Sequence, residues 1–308
     1  MEKLDLVLGR VLIPLVTPFR DDGAVDVDTL ADLARMVIDR GYCDSIIVGG
    51  TTGEFVSLSF DERLTLFRTV REAVGGRVPL IAGTGAASTR EAIALTRAAE
   101  ELGYTVAMVV APYYQKPTQE GIYQHFRAVA EATRLPIMLY NIPLFTGVNI
   151  EPSTLAALVR LPNVRAIKEE AGINPTQASE FALVAPPDFA VYCGDDTMVL
   201  QVLTQGGVGV VSGGSAVIGD RMKAMIDAYL KGDNATAQAL HLQMFKFFRA
   251  LNQSGRVNPI PLLRAAISMT WREVGPPRPP LTPATAEEKS ELARVLTEIG
   301  VVDQGTRA

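Results

Sequence analysis

One lysine stands out as suited to covalent chemistry. The apolar run Val164-Arg165-Ala166-Ile167 ends in Lys168, in a chain that otherwise prefers arginine, with 7 lysines and 22 arginines among its 29 basic residues. Alternation along a strand puts Val164, Ala166 and Lys168 on one face. If that face is turned into a protein interior, the ammonium is desolvated, and the neutral, nucleophilic amine that forms Schiff bases is favoured. A lysine ion-paired with Glu169, Glu170 or Asp195 is the plainer alternative, and position alone does not separate the two.

Other chemical groups sit at the ends of similar runs. Tyr140 closes one, where its phenol could pass protons to and from a carbinolamine on the lysine, or simply pack in the core. Thr51 and Thr52 combine hydroxyls with backbone N–H groups in a glycine-flanked turn fit for a small carboxylate, although an ordinary turn reads the same way. The pairs Glu169-Glu170 and Asp195-Asp196 could instead hold Mg²⁺ for a metal-assisted lyase, but strand neighbours point to opposite faces, so each pair supplies one inward carboxylate. The turn Ser212-Gly213-Gly214-Ser215 could receive a phosphate. Cys193 has no histidine nearby in sequence to activate it and reads as a buried thiol, and His125 and His241 fall in helical segments as surface or packing residues. With two histidines and two cysteines in all, a His-rich metal site or a disulfide framework lacks its parts.

The elements that must position these groups are legible. Apolar runs near 11–17, 44–50, 78–84, 105–111, 135–140, 164–168, 189–194 and 207–212 are apolar throughout, as in parallel strands covered on both faces. Helical periodicity fills the intervals at 27–39, 60–74, 89–102, 121–132 and 216–230. No G-x-G-x-x-G turn follows the first run, so eight βα units predict a closed α/β barrel of the (β/α)8 TIM type, with its chemistry at the C-terminal strand ends, in preference to a doubly wound open sheet. Further helical segments near 233–253, 259–273 and 285–298 predict a C-terminal extension, with Gly275 to Pro280 as a stiff connector. We expect residues 1–230 to form the barrel and 231–308 a helical extension packed on it, as a single structural domain.

Composition narrows the partners. The chain has 308 residues, 48% hydrophobic and 6% aromatic, with a net charge of -5, so an aliphatic core is available, and neither nucleic acid nor an anionic membrane has an electrostatic counterpart. The first apolar run is broken by Pro14 and followed by Arg20, Asp21 and Asp22, unlike a signal peptide or a membrane span. A cytoplasmic enzyme of small molecules is expected.

Taken together, GGTTGE at 49–54, AGTGA at 82–86, APYYQKPTQEGIYQHF at 111–126, LYNIP at 139–143, AIKE at 166–169, GDD at 194–196 and NPIP at 258–261 span nearly the whole chain. In this the sequence resembles the dihydrodipicolinate synthase and N-acetylneuraminate lyase superfamily of pyruvate-dependent class I aldolases, and most of all its dihydrodipicolinate synthase branch. The resemblance implies that Lys168 forms an imine with pyruvate and that Tyr140 shuttles protons. It implies that Thr51 and Tyr114 complete a hydroxyl relay, Tyr114 reaching into the site of a neighbouring subunit, and that Gly50, Thr52, Val211 and Phe145 border the substrate. No metal or organic cofactor is required, and a homodimer or a homotetramer built as a dimer of dimers is implied.

One position departs from the branch. Where it carries an arginine after its YNxP motif, to hold the carboxylate of aspartate semialdehyde, this chain has Phe145, which cannot make a bidentate contact with a carboxylate. A 2-keto-3-deoxy sugar acid aldolase or dehydratase, or an N-acetylneuraminate-lyase-like enzyme, is therefore a rival expectation, as is a pyruvate-binding regulatory barrel without catalysis. The branch's inhibitory lysine site is matched here by Phe55, Phe60 and Ala87, although Tyr113 and Glu91 are kept, so weak or absent inhibition by lysine is expected.

Overall fold

The computed structural model describes residues 3–170 and 172–302. Eight strands, β1 (Val11–Pro14), β2 (Ser45–Val48), β3 (Leu80–Gly83), β4 (Val106–Val110), β5 (Ile137–Asn141), β6 (Val164–Glu169), β7 (Ala190–Cys193) and β8 (Gly209–Val211), pair in order. All neighbours are parallel, and β8 returns to β1 to close the barrel. Each predicted run coincides with one of these strands, β5 and β6 extending one residue past theirs, to Asn141 and Glu169. Their side chains sort into two cores: Leu12, Ile47, Met108, Met138 and Ala166 fill the barrel, while Ile13, Ile46, Val109, Leu139 and Ile167 pack under the helices.

Strand β6 corrects one expectation. Val164 belongs to the outer core, and Ala166 and Lys168 alone follow the inward phase, because the β5–β6 register slips where Ile137 opposes Val164 and the next residue, Met138, opposes Ala166. One extra residue, Arg165, resets the alternation, as a bulge does. Its guanidinium leaves the sheet for Asp188 at 2.9 Å.

The predicted helices appear at Val27–Asp39, Phe60–Val74, Thr89–Glu101, Gln119–Glu131 and Ser215–Leu230. Their starts are chemically fixed: Asp26 accepts from the Thr29 N–H, and Ser59 and Glu62 form a reciprocal capping box. Helices Pro152–Leu158, Gln177–Val184 and Val199–Thr204 complete the later units, and each is too short to show a helical period clearly. A helix at Leu4–Leu8, not foreseen, puts Leu4 and Leu8 into the inner core beside Val106 and Ala190, which begin their strands.

Beyond residue 230 lie helices Asn234–Leu251, Ile260–Thr270 and Ala286–Glu298. Phe247, Phe248, Leu263, Ile267, Leu292 and Leu296 join the outer core, each such burial contributing roughly 1.5–3 kcal/mol. The segment expected to be a stiff connector is instead a docked strap. Phe19 N–H donates to Val274 O at 3.2 Å, and the Arg278 guanidinium donates to Gly23 O and to Ser57 O at 2.8 Å. Among the described residues no helix is long and apolar enough to cross a membrane.

Candidate active site

The strand ends surround a cavity of about 380 Å³ with Lys168 in its wall. Lys168 is 6% exposed and stands in register between Tyr140 on β5 and Tyr192 on β7. The Tyr192 hydroxyl is engaged with Gly9 O at 2.9 Å, whereas the Tyr140 ring lies beside the ammonium, 4.0 Å from Nζ to the ring centroid. Among the described residues no carboxylate forms an ion pair with Lys168, so the ion-paired alternative finds no partner in Glu169, Glu170 or Asp195. The lysine stem runs over Gly194, where a Cβ would come within 2.8 Å of Lys168 Cε. The GDD turn therefore starts with the one residue that leaves the stem room.

Thr51, Thr52 and Gly53 form a 3₁₀ turn after β2. Its internal bonds begin with Gly53 N–H to Gly50 O and Glu54 N–H to Thr51 O, so the Thr51 and Thr52 N–H groups are not used by the turn. Both threonines line the cavity together with Tyr140, Val211 and Phe145. Gly50 instead borders a small void behind Thr51 and Tyr140. Phe145, in the turn Pro143–Thr146, is 40% exposed at the rim beside Leu144 and Ile173. Tyr114 does not line this cavity: it is 89% exposed with φ 69°. That left-handed backbone, uncommon for a bulky residue, holds the ring away from its own barrel.

Only the glutamate pair splits as alternation requires, since Asp195 and Asp196 lie in the turn after β7 and both line the cavity. Glu169 faces the helices, where Asn141 Nδ2 donates to it at 2.9 Å and Gln177 Nε2 at 3.3 Å, and burial pushes its carboxyl up to about 7. Glu170 lines the cavity near Asp195, and its pKa is raised by burial and then by the Asp195 charge. Asp195 Oδ1 accepts from Thr197 N–H and Oγ1, both at 2.8 Å. Asp196 accepts from Gly214 N–H at 2.9 Å, and burial pushes it up to about 6. Glu170 Oε2 and Asp196 Oδ1 are buried without a hydrogen-bond partner. Among the described residues no three His, Cys, Asp or Glu side chains gather to hold a metal ion. The turn after β8 spends its Gly214 N–H on Asp196 and its Ser215 N–H on Ser212, so a phosphate would meet a carboxylate instead of free donors.

Sequence reasoning missed the support beneath the threonine turn. Glu54, at φ 56°, is buried and accepts from Arg264 Nη1 at 2.9 Å and from the Arg278 N–H at 3.0 Å. Arg264 also donates to Thr17 O, Val274 O and Gly275 O. The available signal was Arg264 itself, the lone charge in the apolar helix IPLLRAAISMT. Cys193 is buried with its thiol pKa pushed well up, and His125 is a buried helix residue whose ring meets Thr89 Oγ1 at 2.9 Å.

Comparison with known proteins agrees with this geometry. A family model described as the dihydrodipicolinate synthetase family matches residues 7–299. The 4-hydroxy-tetrahydrodipicolinate synthase of Desulforudis audaxviator is 46% identical over 290 residues, covering 94% of this chain and 97% of that protein. That of Moorella thermoacetica is 45% identical over 294 residues, covering 96% and 99%. Among solved structures, the dihydrodipicolinate synthase of Cyanidioschyzon merolae with lysine bound superposes with a TM-score of 0.92 at 41% identity, covering 96% of this chain and 99% of that one.

Proposed function

This chain belongs to the dihydrodipicolinate synthetase family, and we propose that it acts as a 4-hydroxy-tetrahydrodipicolinate synthase, a class I Schiff-base lyase that condenses pyruvate with aspartate semialdehyde. The observation that carries the reading is Lys168, buried without an ion pair in the wall of a strand-end cavity and set against Tyr140. The Lys168 amine adds to the keto carbon of pyruvate, and water leaves with proton transfer through Tyr140. The resulting iminium draws electrons from the methyl group, which loses a proton to give an enamine. The enamine carbon then bonds to the aldehyde carbon, whose oxygen takes up a proton. The free N–H groups and hydroxyls of Thr51 and Thr52 suit the pyruvate carboxylate.

A second cavity of about 270 Å³ shares Thr51, Ile142, Phe145, Asn258 and Ile260 with the first and is bounded on its far side by residues that include Phe55, Tyr113 and Arg278. We infer that Tyr114 of a second copy enters there and reaches Thr51, which makes a homodimer, alone or paired into a tetramer, the active unit. The outward, left-handed setting of Tyr114 supports this. Weak inhibition by lysine is supported by Phe55, whose ring packs edge-on against Tyr113 at 5.8 Å under the Arg63 guanidinium, filling the polar places of the family's inhibitory site with a ring and a cation.

Borohydride reduction in the presence of pyruvate tests the core of the reading. An adduct on the peptide carrying Lys168 is expected, absent in Lys168→Ala; no adduct in the unaltered protein rejects it. Phe145 favours one rival, a 2-keto-3-deoxy sugar acid as substrate, and turnover of that acid faster than condensation with aspartate semialdehyde would establish it.

A further inference from the structure

The cavity wall beyond Lys168 carries an unusual charge balance. Among the described lining residues Lys168 is the only cation, and its charge is committed to the pyruvate iminium, while Glu170, Asp195 and Asp196 lie on the same wall. At the rim stand Phe145, Leu144 and Ile173, which offer no charge of either sign. A carboxylate at the far end of an acceptor aldehyde would meet three acids and no side-chain cation beyond the lysine already joined to pyruvate.

Two of those acids have capacity to spare. Glu170 Oε2 and Asp196 Oδ1 are buried acceptors without partners, a rare state in folded proteins that calls for a donor. Asp195 cannot turn away, because Thr197 grips its Oδ1 through both N–H and hydroxyl. Glu170, its pKa raised first by burial, is therefore held near a second carboxylate that raises it further, and a cation placed between them relieves the repulsion.

We propose that Glu170, backed by Asp195, is a specificity-determining residue that reads an ammonium group on the acceptor aldehyde, so that this enzyme selects its aldehyde by the amine instead of by the carboxylate. The proposal rests on the reading that Lys168 joins pyruvate to an aldehyde, and it deepens that reading. A product with nitrogen in its ring takes that nitrogen from the acceptor, and Glu170 stands two residues after Lys168 on the wall the acceptor must pass.

The test compares aspartate semialdehyde with succinic semialdehyde, which keeps the chain length and the carboxylate and lacks the amine, using loss of aldehyde as the readout. We expect the unaltered enzyme to have a KM at least about tenfold lower for the amine-bearing aldehyde, and Glu170→Gln and Glu170→Ala to bring the two KM values within about twofold by raising the first alone. A merely structural role would raise both together. Equal KM values in the unaltered enzyme, an unchanged ratio in either folded variant, or a preference for glyceraldehyde, whose donors are uncharged hydroxyls, would overturn the proposal. Failure of pyruvate trapping on Lys168 rejects the underlying function as well, whereas trapping without discrimination between the aldehydes rejects the subsite alone.

Discussion

Glu169 and Glu170 are neighbours in sequence and opposites in use, and the backbone alternation that separates them makes Glu169 a titration probe of the fold. It is buried, its carboxyl is pushed up to about 7 from 4.5 by desolvation, and its two amide donors offset only part of that cost. A carboxyl whose folded value exceeds its unfolded value supports the fold fully below the unfolded value and loses that support as pH rises through the folded one. The shift corresponds to roughly 3 kcal/mol. We therefore expect the stability of the native protein relative to Glu169→Gln to be level below about pH 4.5, to fall between there and pH 7, and to level off above, measured by denaturant unfolding across that range. A flat difference would show that Glu169 keeps its ordinary value. At this scale the sequence was informative where type and position coincide: Lys168, Tyr140, Thr51 and Thr52 were legible because strand ends are where such barrels expose polar groups. Glu170 was placed only as half of a pair, since its contact with Asp195 joins different strand ends.

Between elements, the least legible feature is the link from the C-terminal extension to the threonine turn. The strands and longer helices could be read because apolar runs and helical periods are local, but Glu54 and Arg264 are 210 residues apart, and nothing local announces their contact. The bulge at Arg165 was hidden for a related reason: register is a property of two strands, and β6 alone gives no sign that Val164 faces outward. The Glu54–Arg264 pair is a buried one, 2% exposed on each side, that fixes the left-handed residue ending the turn. Removing one partner leaves the other charge buried without compensation. Arg264→Leu should thus cost about 3–5 kcal/mol in unfolding free energy. The double change Glu54→Leu, Arg264→Leu should recover most of that stability, because apolar replacement of a whole buried pair is often neutral. It should not recover activity, because the Thr51–Thr52 turn would still lack its anchor, and the KM for pyruvate should remain raised. Recovery of both would show that the pair serves stability only.

For the whole molecule, the proposal that the outward Tyr114 serves a second copy predicts an active site divided between two chains. Lys168, Tyr140 and the threonine turn line one chain's own cavity, while Tyr114 of that chain stands 89% exposed in a conformation that its own site does not use. If each site takes Lys168 from one subunit and Tyr114 from the other, a change at either position inactivates a homodimer. A mixed dimer of Lys168→Ala with Tyr114→Ala chains then contains one site with neither group and one site with both. Random reassociation of equal amounts gives half the dimers mixed, each with one working site of two, so activity should return to about a quarter of the native value. The recovery should follow the rate of subunit exchange and be absent when the variants are combined without dissociation. Two variants that stay inactive after exchange, with mixed dimers verified by mass, would place Tyr114 outside the shared site; full activity of Tyr114→Ala alone would remove it from the chemistry.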